Sequence, residues 1–199
     1  MIDQIKKIYS LLFIICISLN GCISSIDVKE DLDEVGAEKI SCMVNGEPFE
    51  AINGKGLLAI DFVMGELLES ENSFLITVYS VELLDEGGAL AVGFKIGGKN
   101  VSDLKVGDTF TTWELLPGSS EDYIGAMGGV EKRSSIQTDE HIFKASSNHT
   151  KEISLTITAI DHVAKTMSGA YNFVALDDEN NTKVEVTEGI FQNVSWETE

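Results

Sequence analysis

Cys22 carries the side chain whose neighbours point most directly to a reaction. It follows Leu19-Asn20-Gly21 at the close of an apolar run from Ile8 to Leu19, and Lys6 and Lys7 stand before that run. A thiolate is a strong nucleophile, and this thiol stands directly behind small residues and an apolar segment. The run itself is too short to span a bilayer, which takes about 20 apolar residues.

A basic start, a short apolar middle and small residues at the end form the layout of a secretory signal peptide. Residues 1–21 resemble a bacterial lipoprotein signal, in which the bond before Cys22 is cleaved and Cys22 becomes the diacylglycerol-modified first residue, with palmitate-like chains. Each buried methylene contributes about 0.8 kcal/mol, so two or three chains anchor stably where one does not. The expectation is a protein attached to a membrane through Cys22 without crossing it. Ile23 stands where an inner-membrane retention signal often places Asp, which directs the expectation to the outer membrane, on its periplasmic or surface face.

Other reactive side chains are scattered. Cys16 leaves with the leader and Cys22 is taken by lipid, so Cys42 is the remaining thiol and no internal disulfide can form. It shares a strand face with Ile40 and Val44, which marks it as a small buried hydrophobe. His141, His149 and His162 lack His-Glu-x-x-His spacing, and no Gly-x-Ser-x-Gly elbow or Walker-type loop is present. Catalytic residues, a cofactor and a metal are therefore not expected. The richest oxygen cluster is Asp177-Asp178-Glu179-Asn180-Asn181, where several ligands for calcium could gather at a turn; a solvated hairpin tip uses the same residues for their turn propensity. Trp113, Trp196, Tyr79, Tyr123 and Tyr171 could stack on a sugar or line an apolar pocket. In alternating strands they serve equally as core, and their exposure decides between the two.

Charge narrows the partners. The chain has 14 Lys and Arg against 33 Asp and Glu, a formal net charge of −19, and removal of residues 1–21 leaves it more acidic still. Such a field repels phosphate backbones and anionic headgroups, so nucleic acid is excluded as a partner. Residues 22–39 hold the lipidated cysteine and an acidic run with too little apolar surface to fold alone, a flexible tether with a reach of roughly 20 to 25 Å. Asp31, Asp33 and Gly36 match part of a calcium loop, but Val35 and Cys42 occupy positions that need oxygen ligands. Lys29-Glu30-Asp31 is similar to a surface-export signal, although it lies far from Cys22; a solvated acidic tether accounts for it.

The elements that would position these residues are strands. Residues 40–199 are one domain's worth of chain, with short apolar runs separated by Gly, Asn, Asp and Ser. Ile40–Val44 and Phe49–Ile52 flank Asn45-Gly46, a tight reversal. Leu57–Met64 and Phe74–Leu84 read as longer strands, and Gly65–Asn72 between them as a connection with one helical turn. Strands follow at Ala89–Ile96, Thr109–Leu115, Tyr123–Val130, Ile153–Ile160, Thr166–Leu176, Lys183–Thr187 and Gly189–Trp196; Gly125, Gly128 and Gly129 mark Tyr123–Val130 as a bulged or weak edge strand. About ten strands with almost no helical period predict an antiparallel all-β domain, as a sandwich or an up-and-down barrel. Phe74–Leu84 is apolar on both faces, so its second face needs a cover: another sheet, a subunit or a ligand.

The quoted runs Val44-Asn45-Gly46-Glu47-Pro48-Phe49, Ser154–Ile160, Met167-Ser168-Gly169-Ala170-Tyr171-Asn172-Phe173 and Val186-Thr187-Glu188-Gly189-Ile190-Phe191 resemble a family of small uncharacterised bacterial envelope lipoproteins that share a domain of unknown function. The resemblance spans most of residues 40–196 and implies a membrane-anchored, all-β envelope protein; it transfers no functional residue. The function expected is binding of a ligand or an envelope protein partner, without enzymatic activity. The alternatives are a structural envelope protein with no small ligand, and an envelope glycan hydrolase whose carboxylate pair the sequence does not locate.

Overall fold

The computed structural model describes residues 36–54, 62–85, 87–119, 121–138 and 140–198. Residues 1–21, Cys22, most of the tether and the first part of the expected strand Leu57–Met64 lie outside them. All described residues fall in the compact unit Leu32–Glu199. Among them no helix is long and apolar enough to cross a membrane.

Period-two alternation builds thirteen strands: β1 (Lys39–Val44), β2 (Glu47–Ile52), β3 (Val63–Glu69), β4 (Phe74–Leu83), β5 (Ala89–Gly98), β6 (Thr109–Phe110), β7 (Trp113–Leu115), β8 (Tyr123–Arg133), β9 (His141–Ser146), β10 (Glu152–Asp161), β11 (Thr166–Asp177), β12 (Thr182–Ser195) and β13 (Glu197–Thr198). They form one sheet in the order β13-β3-β4-β5-β8-β9-β11-β12-β1-β2, with β10 on β11, β6 on β10 and β7 on β8. Every pairing is antiparallel except β13 with β3. The path is open and folds over its own core in a sandwich-like way. Phe94 of β5 meets Tyr171 of β11 at a ring-centroid distance of 5.5 Å and Phe191 of β12 at 4.8 Å.

The all-β expectation holds, and the strand count rises from about ten to thirteen because β9 and β13 lie outside the expected strands. Tyr123–Val130, expected as a bulged or weak edge strand, is the interior strand β8, paired with β5 on one side and β9 on the other; other differences are local. Thr109–Leu115 is two strands, because β6 pairs with β10 while β7 pairs with β8. The chain changes partner at Thr112, whose carbonyl accepts from the Ala126 N–H. Gly65–Asn72 contains no helical turn; β3 runs to Glu69, with Val63 and Leu67 turned into the core and Met64 and Leu68 turned out. Lys183–Thr187 and Gly189–Trp196 join into β12. Glu188 and Asn193 adopt positive φ of 55° and 49° where the pairing with β11 shifts register, so the break read from sequence is a bulge, which bends a strand without ending it.

The core takes alternate residues from both halves: Ile76, Val78, Val92, Phe94 and Ile96 on one side, Leu155, Phe173, Val184 and Phe191 on the other, each at most 2% exposed. The intervening residues of β4, β5 and β8 therefore face outward together. Antiparallel sheets commonly bury one face and solvate the other, and this outer face is the second face of β4 that the sequence left uncovered.

Candidate functional site

On that outer face the paired strands bring small residues into line. Tyr79 of β4 stands opposite Gly93 of β5, Gly93 opposite Gly129 of β8, and Gly129 opposite Ser146 of β9. One step along the strands, Thr77, Lys95 and Met127 form the neighbouring row, and Ala91, Glu131 and Lys144 the row on the other side. Small residues between taller ones leave a trough of about 510 Å³. Four adjacent strands at about 4.8 Å spacing give it a run of roughly 15 Å across the sheet.

The far wall is the turn after β11. Asp177, 3% exposed, uses both carboxylate oxygens: Oδ1 accepts from the N–H groups of Glu179 and Asn180 at 3.0 and 3.2 Å, and Oδ2 from Asn180 Nδ2 at 3.0 Å and the Lys144 N–H at 3.1 Å. The Asn180 side chain foremost, then these backbone donors, hold the Asp177 carboxyl down at about 2. Its work is to tie β9 to the turn. The calcium reading of Asp177–Asn181 therefore loses its central ligand, and among the described residues no group of three or more His, Cys, Asp or Glu is arranged to hold a metal.

Acid and base alternate around the rim. Glu131 Oε1 pairs with Arg133 Nε and lies 3.6 Å from His141 Nδ1. Asp178 Oδ2 lies 3.7 Å from His149 Nδ1. The Lys95 and Lys144 ammonium groups form no ion pair with the described residues, and both border the trough. The Tyr79 hydroxyl, at the near end, reaches Glu66 Oε1 at 3.3 Å and Met64 Sδ at 3.4 Å, which steadies its ring against the sheet.

The candidates from sequence separate cleanly. His141 and His149 meet at the trough, while exposed His162 donates from Nε2 to the Leu104 carbonyl at 2.9 Å. Trp196 and Tyr171 are core, at 4% and 2% exposure. Trp113 and Tyr123 face outward, stacked at 4.8 Å with planes 3° apart. Cys42 is buried among the core residues, and burial pushes its thiol up to about 11, which removes it as a nucleophile at neutral pH. Among the described residues the Tyr171 hydroxyl beside it is the buried side-chain polar atom with no sound hydrogen bond; a thiol is a weak acceptor. Cys22 lies outside the described residues.

Sequence reasoning missed Gly93, Gly129, Lys95, Lys144 and Met127. The signal was available in the alternation, since each takes an outward position on a strand whose inward positions are apolar, but the alignment of four strands was needed to see the trough. A second concavity of about 470 Å³ lies over β10, β11 and β12, rimmed by Glu152, Glu185 and Glu188. It presents carboxylates with no exposed aromatic ring.

Residues 122–195 are similar to a family described as a domain of unknown function, DUF6252. That stretch holds β8 to β12 and three of the four sequence runs quoted above; Val44–Phe49 lies outside it. No curated protein and no solved structure matches the chain.

Proposed function

We propose that this chain is a lipid-anchored bacterial envelope protein, held by Cys22 at the outer membrane, whose β domain binds a ligand in the outer trough and performs no catalysis of its own. The leader, the Leu-Asn-Gly-Cys sequence and the acidic tether support the anchoring half of the reading. The observation that carries the binding half is Gly129.

Among the described residues, nine glycines lie inside strands. For eight of them, Gly65, Gly93, Gly97, Gly98, Gly125, Gly128, Gly169 and Gly189, an added Cβ would fall under 3.0 Å from a neighbouring atom, so the fold itself requires the missing side chain. Gly129 is different. Its nearest neighbour among the described residues would be the Ala145 carbonyl at 3.7 Å, an ordinary contact, and its φ is not positive. Glycine in a strand is destabilising by roughly 0.5–1 kcal/mol relative to alanine, and a strand glycine that the fold does not require often marks a close approach by a ligand. It sits in the middle of the trough floor.

Native mass spectrometry of the full chain, produced in a bacterial envelope and extracted gently in detergent, tests both halves. The expected spectrum contains the acyl mass on Cys22 and a stoichiometric non-protein adduct that Gly129→Val abolishes. Cys22→Ser should move the protein to the soluble fraction. Persistent membrane attachment would overturn the anchor, and an adduct indifferent to Gly129→Val would overturn the site.

A further inference from the structure

The trough combines two things that rarely suit one ligand class: an apolar floor and a rim of hydrogen-bonding groups of both kinds. Gly93, Gly129, Ala91, Met127 and the ring of Tyr79 supply the floor and one wall. Donors stand at Lys95 and Lys144, acceptors at Glu131, Asp178 and Glu179, and Thr77 and Ser146 can do either. Resting on the binding reading above, we propose that the occupant is a neutral saccharide, with one ring face laid on Tyr79 and over Gly129 and its hydroxyls distributed among the rim groups.

Three observations favour that class. A pyranose has C–H faces and hydroxyl edges, so it needs apolar contact beneath and donors and acceptors around it, which is the arrangement on the page. The charges do not select an ion: Glu131 is engaged by Arg133 and His141, Asp178 by His149, and Asp177 by four donors. Lys95 and Lys144, which form no ion pair with the described residues, belong to a chain of net charge −19, which discourages approach by an anion.

An extended peptide is the competing occupant, and the topology disfavours it. Peptides gain affinity by adding a strand to an open sheet edge, but β4, β5 and β8, which make the trough floor, are interior in the strand order. The outer edge of β9 meets β11 at Ser146 and is tied at Lys144, whose N–H donates to the Asp177 carboxylate, so the trough itself offers side chains and a bare floor. Gly129 lets a flat ring sit against the sheet, and Tyr79, steadied through Glu66 and Met64, gives that ring a fixed partner.

The test is calorimetric titration of the full, detergent-extracted chain with neutral gluco-, manno-, galacto- and xylo-oligosaccharides, with oligogalacturonate and an unrelated decapeptide as comparators. One neutral oligosaccharide should bind. Tyr79→Ala should weaken it about tenfold, the effect of removing one aromatic contact worth about 1.4 kcal/mol. Tyr79→Phe should keep the stack and most of the affinity, and Gly129→Val should abolish binding with the melting temperature unchanged or raised. Binding of the oligogalacturonate or the peptide in preference, with Gly129→Val still blocking it, would overturn the saccharide class and leave the binding reading intact. Binding of a neutral oligosaccharide that neither variant alters would overturn the site. A Gly129→Val-sensitive native adduct with no affinity for any sugar would likewise overturn the saccharide class alone. No sugar affinity and no adduct would overturn both readings.

Discussion

Two glycine stations on the outer face of the β5–β8 pair make opposite use of the same residue. At the first, Gly97 stands opposite Gly125, and the site is closed: a Cβ on Gly97 would lie 2.5 Å from the Tyr123 carbonyl and 3.3 Å from the Trp113 ring, and one on Gly125 would collide with the Thr112 carbonyl. Trp113 lies across this station and Tyr123 stacks upon it, so aromatic cover restores the apolar contact that glycine lacks, a device known from sheet design. At the second, four residues along each strand, Gly93 stands opposite Gly129 and no ring of the described residues closes over Gly129. Gly93 is required by the approach of β4 at Val78, but Gly129 is required by nothing among the described residues. One station is finished by the protein, and the other is left for something else to finish.

The largest effect expected from breaking this contrast is at the closed station. Gly125 has a φ of +111°, and Thr112 stands where its side chain would be. Gly125→Ala combines a backbone penalty with a steric one, and about 3 kcal/mol or more of stability should be lost in urea unfolding. A shift of less than about 1 kcal/mol would mean that β7 can move aside freely, and the station would not be closed in the sense argued. Trp113→Ala comes next. Uncovering the glycines while leaving the backbone in place should destabilise the domain by about 2 kcal/mol, and the half-exposed Tyr123 ring should lose its near-UV dichroism band. No loss of stability would identify the Trp113–Tyr123 stack as a surface available to a partner instead of a structural lid.

How much of this was legible in the sequence depends on the range over which each signal acts. Strand positions follow from alternation between neighbours two apart, so Ile153–Ile160, Thr166–Leu176 and the Asn45-Gly46 reversal were readable without a partner. The second face of Phe74–Leu84 was readable as an apolar excess, and it is the face that carries Tyr79. Partner exchange was not readable: Thr109–Leu115 alternates as one strand, and only the positions of β8 and β10 divide it. The bulges in β12 resembled a turn because Glu188-Gly189 has turn composition, and only pairing to β11 shows that the strand continues. Whether an aromatic residue is core or surface depends on which face the register assigns, so Trp196 and Trp113 could not be separated by type. The trough is a property of four strands in alignment, and no single run contains it. The acidic turn was correctly singled out as unusual; its role as a tie between elements needed the Lys144 N–H, which is 33 residues away along the chain.

That tie gives the third effect, smaller and dependent on pH. Asp177 has its carboxyl lowered from 3.8 to about 2 in the folded protein, so it binds its proton more weakly folded than unfolded. Its contribution is complete above the unfolded value and is lost as the pH falls through 3.8 toward 2. Asp161 and Asp122, lowered by the N–H groups of Ala164 and Val163 and by the Ser73 and Ser119 hydroxyls respectively, act in the same direction. Asp177→Asn should therefore reduce, without abolishing, the slope of stability against pH in that window, while leaving the trough wall too loose to hold the Lys144 segment at neutral pH. A slope identical to that of the unmodified protein would show that Asp177 keeps the same proton affinity folded and unfolded, and that the wall is held by other contacts.

The smallest expected change in stability is the most informative about the open station. Among the described residues, alanine at position 129 would meet only the Ala145 carbonyl, at 3.7 Å, and it would reduce the freedom of the unfolded chain, so Gly129→Ala should be neutral or stabilising by up to about 1 kcal/mol. Urea midpoints read at constant m-value isolate this from any change in the compactness of the unfolded state. The sign decides the argument. A stabilised variant means that the native glycine is kept against the preference of the fold, and the reason for keeping it must lie outside the folded chain, in whatever rests on the trough floor. A destabilised variant would mean that β8 needs glycine there for its own packing; the two stations would then differ only in how the protein covers them, and the trough would lose the observation that distinguishes it from an ordinary dip in a sheet.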